Sequence, residues 1–283
     1  MNINEALIKG YNILKEAEID TYQLDSQLLL CHVLQKDKLF LMMSRDKEIS
    51  ADEKEKYIAL IEERKTKKPM AYILNKVEFM GMDFYVEPGV LIPRPDTEIL
   101  VEECIKLIKE KNITKICDMC CGSGAIGIAI AALERDTRVW SYDISDTAIK
   151  VTKENIHNSE LNERVTVDKS DLFQVATKKK LKFEMIVSNP PYIEEEVIPT
   201  LMEDVRDFEP HLALSGGKDG LEFYRKICRE SRSLLLPKGY LCFEIGYNQE
   251  EEVKMLLKEN GFINIYSMRD LSNNPRVVIG TLP

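Results

Sequence analysis

The chain has 283 residues, a formal charge of −9, 44% apolar residues and 31% charged ones. That length suits one large or two modest domains with ample chain for a core, and the acidic balance argues against a nonspecific polyanion binder, whose surfaces are basic. Met1–Glu5 shows neither a basic start nor an apolar run, and no stretch is long enough to span a bilayer, so a cytoplasmic protein is expected.

Seven cysteines, an odd number, argue for free thiols. Cys117, Cys120 and Cys121 include a C-x-x-C. His32, His157 and His211 lie far from it without ligand spacing. Small buried thiols are therefore expected, and no metal site.

Residues 1 to 68 read as a small helical bundle. Ile3, Ala6, Leu7, Tyr11 and Leu14 share one helical face, and Leu24, Leu28, Leu29, Val33 and Leu34 suggest a second helix. A short third helix follows over Leu39–Met42. Ser50 and Glu53 form a capping box for a fourth, which carries Tyr57, Ile58, Leu60 and Ile61. The charged run Glu62–Lys68 then meets Pro69, which ends the helix. A linker over 69–90 holds a β-hairpin at Val77–Val86. The prolines of Leu91-Ile92-Pro93-Arg94-Pro95-Asp96-Thr97-Glu98 force an extended segment, after which Asp96 or Thr97 can cap a helix through Ile108.

From Lys115 strands and helices alternate. Strands are expected at Lys115–Met119, Arg138–Tyr142, Val165–Lys169, Phe183–Val187 and Tyr240–Ile245. Helices are expected at Gly124–Leu133, Asp146–His157, Gly220–Leu236 and Gln249–Asn260. Phe262–Met268 and Arg276–Leu282 close the chain as an antiparallel pair, because no crossover fits between them. The alternation predicts an α/β fold over 91–283: a doubly wound, Rossmann-like parallel sheet with one antiparallel final strand, preceded by the bundle.

One stretch dominates the chemistry. Ser188-Asn189-Pro190-Pro191-Tyr192 follows the apolar strand Phe183–Val187, and two prolines stop the ladder there. Asn189 is thereby held extended at a strand's carboxyl end. Its carbonyl and the Pro190 C=O are fixed acceptors for the two N–H groups of a planar NH2-bearing group, and the Tyr192 ring can pack on that group's face. A strand-ending turn with a buried tyrosine is the plain alternative.

Gly122-Ser123-Gly124-Ala125-Ile126-Gly127 follows the first strand and opens a helix, a literal match to the dinucleotide fingerprint. Asp143, at the end of the second strand, suits ribose hydroxyls. Asp118 precedes the glycine loop, where a carboxylate disfavours a pyrophosphate and suits a cationic amino group. Asp171, beyond the third strand, can accept from an adenine amine. S-adenosylmethionine carries a ribose, an adenine, a sulfonium and an α-amino group but no phosphate, and three acids at three strand ends fit it better than NAD. With strand order 3-2-1-4-5, strands one and four are neighbours across the reversal, so the Asn189 loop faces the reactive end of a ligand held by the glycine loop. That arrangement supports methyl transfer to an amide or aromatic NH2 nitrogen.

These residues carry a family resemblance. The chain resembles the HemK-like protein-(glutamine-N5) methyltransferases, which modify the glutamine of the Gly-Gly-Gln motif in class-1 peptide chain release factors. The matching pieces are Leu91–Glu98, Gly122-Ser123-Gly124, Asp143-Ile144-Ser145, Ile186–Ile193, Gly216-Gly217-Lys218-Asp219-Gly220-Leu221, Glu244-Ile245-Gly246 and Arg276-Val277-Val278. The resemblance implies S-adenosylmethionine at Asp118, Cys120, Cys121, Gly122, Ser123, Gly124, Asp143, Asp171, Leu172 and Asn189. It implies substrate at Asn189, Pro190, Pro191 and Tyr192, with Asn189, Pro190 and Tyr192 catalytic and no metal. The partner it implies is a release factor, with no membrane and no nucleic-acid substrate; because the α/β domain already holds all the chemistry, the bundle that precedes it is expected to dock that substrate. The chain departs from the family pattern at Cys120, where glycine is usual, at Leu172, where an aromatic is usual, and at Leu271–Pro275, which lacks a glycine. Sister enzymes methylate a ribosomal-protein glutamine, and DNA adenine methyltransferases share Asn-Pro-Pro-Tyr. A noncatalytic adaptor leaves the Asn189 loop unexplained.

Overall fold

The computed structural model describes residues 1–283. The chain divides into two units, residues 1–76 with 202–208, and residues 77–201 with 209–283.

The first unit is helical: α1 (Ile3–Glu16), α2 (Tyr22–Leu34), α3 (Lys38–Met43), α4 (Ala51–Lys65) and α5 (Met70–Leu74). The Ser50–Glu53 box opens α4 with both reciprocal bonds, at 3.2 and 2.7 Å, and Asn2 with Glu5 does the same for α1. The face of α2 differs from the expected one. Leu24 is exposed, while Asp25, Ser26, Leu29 and Leu30 are buried. Asp25 turns inward because its carboxylate accepts from Nε of Arg64 on α4 at 2.7 Å, and a buried charge must be paired. The helical unit also runs past the expected end at residue 68, since α5 carries Ile73 into the core that holds Tyr57 and Ile61.

The second unit opens with the hairpin β1 (Val77–Phe79) and β2 (Met82–Phe84), followed by α6 (Thr97–Lys111). Then β3 (Lys115–Met119), α7 (Ala125–Leu133), β4 (Arg138–Asp143), α8 (Asp146–Asn158), β5 (Val165–Lys169), α9 (Gln174–Lys178) and β6 (Phe183–Ser188) alternate. A 3-10 turn at Ile198–Thr200 leads to α10 (Glu203–Phe208), which falls with the helical unit. The rest is α11 (His211–Leu214), α12 (Glu222–Ser231), β7 (Leu235–Glu244), α13 (Glu250–Glu259), β8 (Ile263–Arg269) and β9 (Pro275–Thr281). The short helices between 198 and 214 have no counterpart in the sequence reading, because runs this short carry too few turns for a periodic signal. The helix expected to reach Leu236 stops at Ser231, and Leu235 already begins β7. Pairing of β6 with β7 is irregular between Phe183 and Met185, opposite the stretch with Pro237 and Gly239.

The sheet order is β5-β4-β3-β6-β7-β9-β8, parallel throughout except for β9, which runs antiparallel to both neighbours. Hydrophobic cores fill both faces. One gathers Leu100, Val101 and Cys104 of α6 with Ile128 and Ala129 of α7. The other gathers Tyr224 and Ile227 of α12 with Val253 and Leu257 of α13. The order reverses between β3 and β6, so the carboxyl edge there is the open crevice of a doubly wound sheet. Register sets what stands along that edge. Met119 pairs with Tyr142 and Ser188, and Ser188 pairs with Phe243. The next residues out, Asp143, Cys120, Asn189 and Glu244, therefore form one row across four strands.

Candidate active site

A cavity of about 310 Å³ opens at this edge. Such a volume lies at the lower end of the range for small-molecule sites. Nine of the expected site residues line it: Cys120, Cys121, Gly122, Ser123, Asp143, Asp171, Leu172, Asn189 and Pro191. Asp118, Gly124, Pro190 and Tyr192 do not.

Asp118 is fully buried, and its Oδ2 accepts from the backbone N–H of Gly127 at 3.0 Å. It points into the β3–α7 packing because side chains alternate along a strand, which places Asp118 on the face of Ile116. Burial pushes its carboxyl up to about 7. Asp118 thus braces the glycine loop from behind and does not face a ligand amine. Asp143 does line the cavity. Its Oδ2 accepts from Gly122 N–H and its Oδ1 from Ser145 N–H, both at 2.9 Å. Burial pushes its carboxyl up, while those N–H groups oppose the shift. The N–H of Gly122, which a pyrophosphate would need, is thus taken by a carboxylate. With Asp143 and the exposed Asp171 both at the wall, the acceptor set suits hydroxyls and amines rather than phosphates.

The loop that carries Asp143's partner is strained. Gly122 and Gly124 have φ of 55° and 79°, and the non-glycine Cys120 has φ of 59°. Glycine's usual place at that position follows from this backbone. A left-handed non-glycine residue costs about 1–2 kcal/mol, partly offset by the greater chain entropy that glycine loses on folding. Cys120→Gly is therefore expected to gain up to about 1 kcal/mol in urea unfolding. A clear loss would show that thiol packing outweighs the strain. Leu172 is likewise left-handed, at φ 44°.

The loop after β6 is held from several sides. Ser188 Oγ donates to Met119 O at 2.7 Å, tying β6 to β3 at the cavity floor. Gln249 Nε2 donates to Tyr192 O at 3.0 Å and to Gly220 O at 3.2 Å. A Cβ on Gly216 would meet Tyr192 Cα at 2.7 Å, and one on Gly220 would meet Tyr192 O at 2.4 Å. The run Gly216–Leu221 is thus the backbone wall behind Asn189–Tyr192, and its glycines permit the close approach. Tyr192 packs sideways into the core, with its hydroxyl 3.5 Å from Glu244 Oε1. Its ring therefore does not form the cavity face that the sequence assigns to it. Asn189 Nδ2 reaches Thr97 Oγ1 at 3.5 Å. Neither Asp96 nor Thr97 caps α6 with its side chain. Asp96 instead pairs with Arg276 at 3.0 Å.

The cavity also includes residues that sequence reasoning did not place there: Val90, Arg94, Thr97, Phe223 and Lys226 among them. Arg94 pairs with Glu209 at 2.5 Å. Phe223, from α12, lines the cavity and packs against the same hydrophobic core as Leu172. Its signal in the sequence is weak, because a single aromatic on an amphipathic helix reads as core.

Comparison with known proteins places the chain among methyltransferases. Residues 5–74 match the family described as PrmC N-terminal domain, and residues 95–208 match the Methyltransferase small domain. A release factor glutamine methyltransferase of Clostridium botulinum is 51% identical over 98% of this chain and 98% of its own. One of Clostridium acetobutylicum is 47% identical over 99% and 98%. Among solved structures, a 16S rRNA methyltransferase of T. thermophilus in complex with AdoMet and guanosine shares the fold, with TM-score 0.53, 16% identity, and coverage of 74% of this chain and 50% of that one. The chain belongs to the release factor glutamine methyltransferase family.

Proposed function

We propose that this chain methylates the side-chain amide nitrogen, N5, of the glutamine in the Gly-Gly-Gln motif of class-1 peptide chain release factors. The cofactor is S-adenosylmethionine, which supplies an electrophilic methyl group when bound. The observation that supports this reading is the row of Asp143, Cys120 and Asn189 at the reversal of the sheet, with Asn189 at the wall of a cavity of small-molecule size. In this reading Asp143 takes the ribose hydroxyls, Asp171 the adenine amine, and the loop from Cys120 through Ser123 forms the floor, with Leu172 and Phe223 against the adenine. Asn189 Oδ1 holds one N–H group of the glutamine, and the Pro190 carbonyl, whose residue lies outside the cavity lining, is assigned to the other. An amide nitrogen is a poor nucleophile because its lone pair is delocalised. Accepting both N–H bonds shifts density toward nitrogen and aims it at the methyl carbon. No base is needed before transfer, since the proton leaves after nitrogen becomes cationic. Pro191 shields the site from water and Tyr192 anchors the loop rather than stacking on the amide.

Labelled cofactor offered with a release factor, with a ribosomal protein or with DNA tests the reading. Label on a release factor supports it, and label on either of the others alone rejects it. DNA is the weaker competitor, since the chain is acidic overall.

The helical unit is assigned to substrate docking. α3 leaves Leu39, Met42 and Met43 exposed at 62, 64 and 79%. Contiguous exposed apolar side chains of this kind mark contact surfaces. Leu39→Ser with Met43→Ser is expected to raise KM for an intact release factor about three- to tenfold, the scale of two modest contacts, and to leave a short glutamine peptide unaffected. Equal changes on both substrates would assign the unit a purely structural role.

A further inference from the structure

An asparagine side chain offers a carbonyl on one side and an NH2 on the other, and only the carbonyl accepts from a substrate amide. Asn189 must therefore face one way. Its Nδ2 lies 3.5 Å from Thr97 Oγ1. Thr97 begins α6 and is buried. The Thr97 hydroxyl lies near the carboxylate of Glu244, the last residue of β7, and favours its charged form. Glu244 is 1% exposed; its Oε1 takes the Tyr192 hydroxyl at 3.5 Å, and its Oε2 has no hydrogen-bond partner.

We propose that Glu244 is a positioning residue that acts through Thr97 to hold the Asn189 carbonyl toward the substrate amide; this rests on the reading of Asn189 given above. An ionised carboxylate can only accept. It draws the single Thr97 hydroxyl proton to itself and leaves the Thr97 oxygen as an acceptor for the Asn189 NH2. A reversed Asn189 amide would set oxygen against oxygen with no proton between them. The carbonyl is thus turned out to the cavity. Protonated Glu244 removes that bias. Its O–H can donate to Thr97, whose own proton is then free for Asn189 Oδ1, and the flipped amide meets the substrate NH2 donor to donor.

Charged groups approach Glu244 from each neighbouring element. Arg276 on β9 favours the carboxylate and is itself tied to Asp96 at 3.0 Å and to Asp270 at 2.9 Å. Asp96, beside α6, disfavours it, and Tyr192 and Thr97 favour it as hydrogen-bond donors. From α12, the Tyr224 hydroxyl donates to the Glu244 backbone oxygen at 2.9 Å. Burial is the largest influence and pushes Glu244 up to about 7. The orientation of Asn189 is accordingly set by pH within the working range, with the active orientation present above that value and lost below it.

The test is kcat against pH for the full chain with a release factor at saturating cofactor. Saturation removes from view Asp118, which also titrates near 7 but braces the cofactor loop. Wild type is expected to show an acidic limb in kcat near pH 7. Glu244→Gln, able to donate as well as accept, should lower kcat about tenfold, the scale of one charge-assisted hydrogen bond, and abolish the limb while KM and cofactor affinity hold. Thr97→Val should do the same, and Thr97→Ser, which keeps the hydroxyl, should restore most of the loss together with the limb. A limb that survives in Glu244→Gln overturns the inference, as does wild-type kcat with the limb intact in Thr97→Val. If Glu244→Gln does not fold, the valine and serine pair decides alone. Wild-type turnover in Asn189→Ala would instead overturn the reading of Asn189, so the two failures are distinct.

Discussion

Asn189→Ala is expected to lose about thirty- to a thousandfold in turnover on a release factor, the roughly 2–4 kcal/mol typical of one preorganised electrostatic contact. The loss should fall on kcat more than on KM. On the proposed role, the Asn189 carbonyl would bind the substrate amide more strongly as positive charge develops on its nitrogen, and a contact stronger in the transition state lowers kcat when removed. The fold should survive the change, because the loop is held by Gln249, Ser188 and the glycine wall rather than by the Asn189 side chain. Asn189→Asp is the sharper comparison. It keeps an acceptor of the same size, so measurable activity there with none in the alanine variant identifies the carbonyl as the working group. Full activity in the alanine variant would sink the site assignment.

Asp143→Ala is expected to weaken S-adenosylmethionine binding by at least about tenfold, since each hydrogen bond to a charged group contributes about 1.5–3 kcal/mol. The structure adds a second route to the same loss. Asp143 also accepts from Gly122 and Ser145, so its removal frees the glycine loop that forms the cavity floor. Titration calorimetry reads the affinity directly. Asp143→Asn separates the routes, because its amide oxygen can keep one backbone bond while the charge is gone. An unchanged Kd in the alanine variant, or tight NAD binding by the wild type, would contradict the assignment.

Taken residue by residue, much was written in the sequence. The strand–helix alternation from Lys115 predicts the parallel sheet, because periods of two and 3.6 are local properties of the chain. The proline pair after β6, the glycines after β3 and the acid ending β4 punctuate strand ends, and strand ends are where a doubly wound sheet binds ligands. Nine of the thirteen residues expected at the site, from these signals and the family resemblance together, line one cavity. The antiparallel placement of β9 follows from a connection too short for a crossover.

Only the tertiary structure decided which way side chains turn. Asp118 reads as a cofactor acid by its place before the glycine loop, yet strand alternation sends it to Gly127. Leu24 reads as core, yet the pull of Arg64 on Asp25 rotates α2 and exposes it. Tyr192 sits three residues from Asn189 but spends its hydroxyl on Glu244, 52 residues away. Thr97 reads as a helix cap and instead lies beside Asn189, 92 residues on. No local pattern encodes such pairings. They arise because sheet register sets Asn189 and Glu244 side by side and the packing of α6 on the sheet brings Thr97 between them. A buried polar group must then find its partner among whatever the fold has brought within reach.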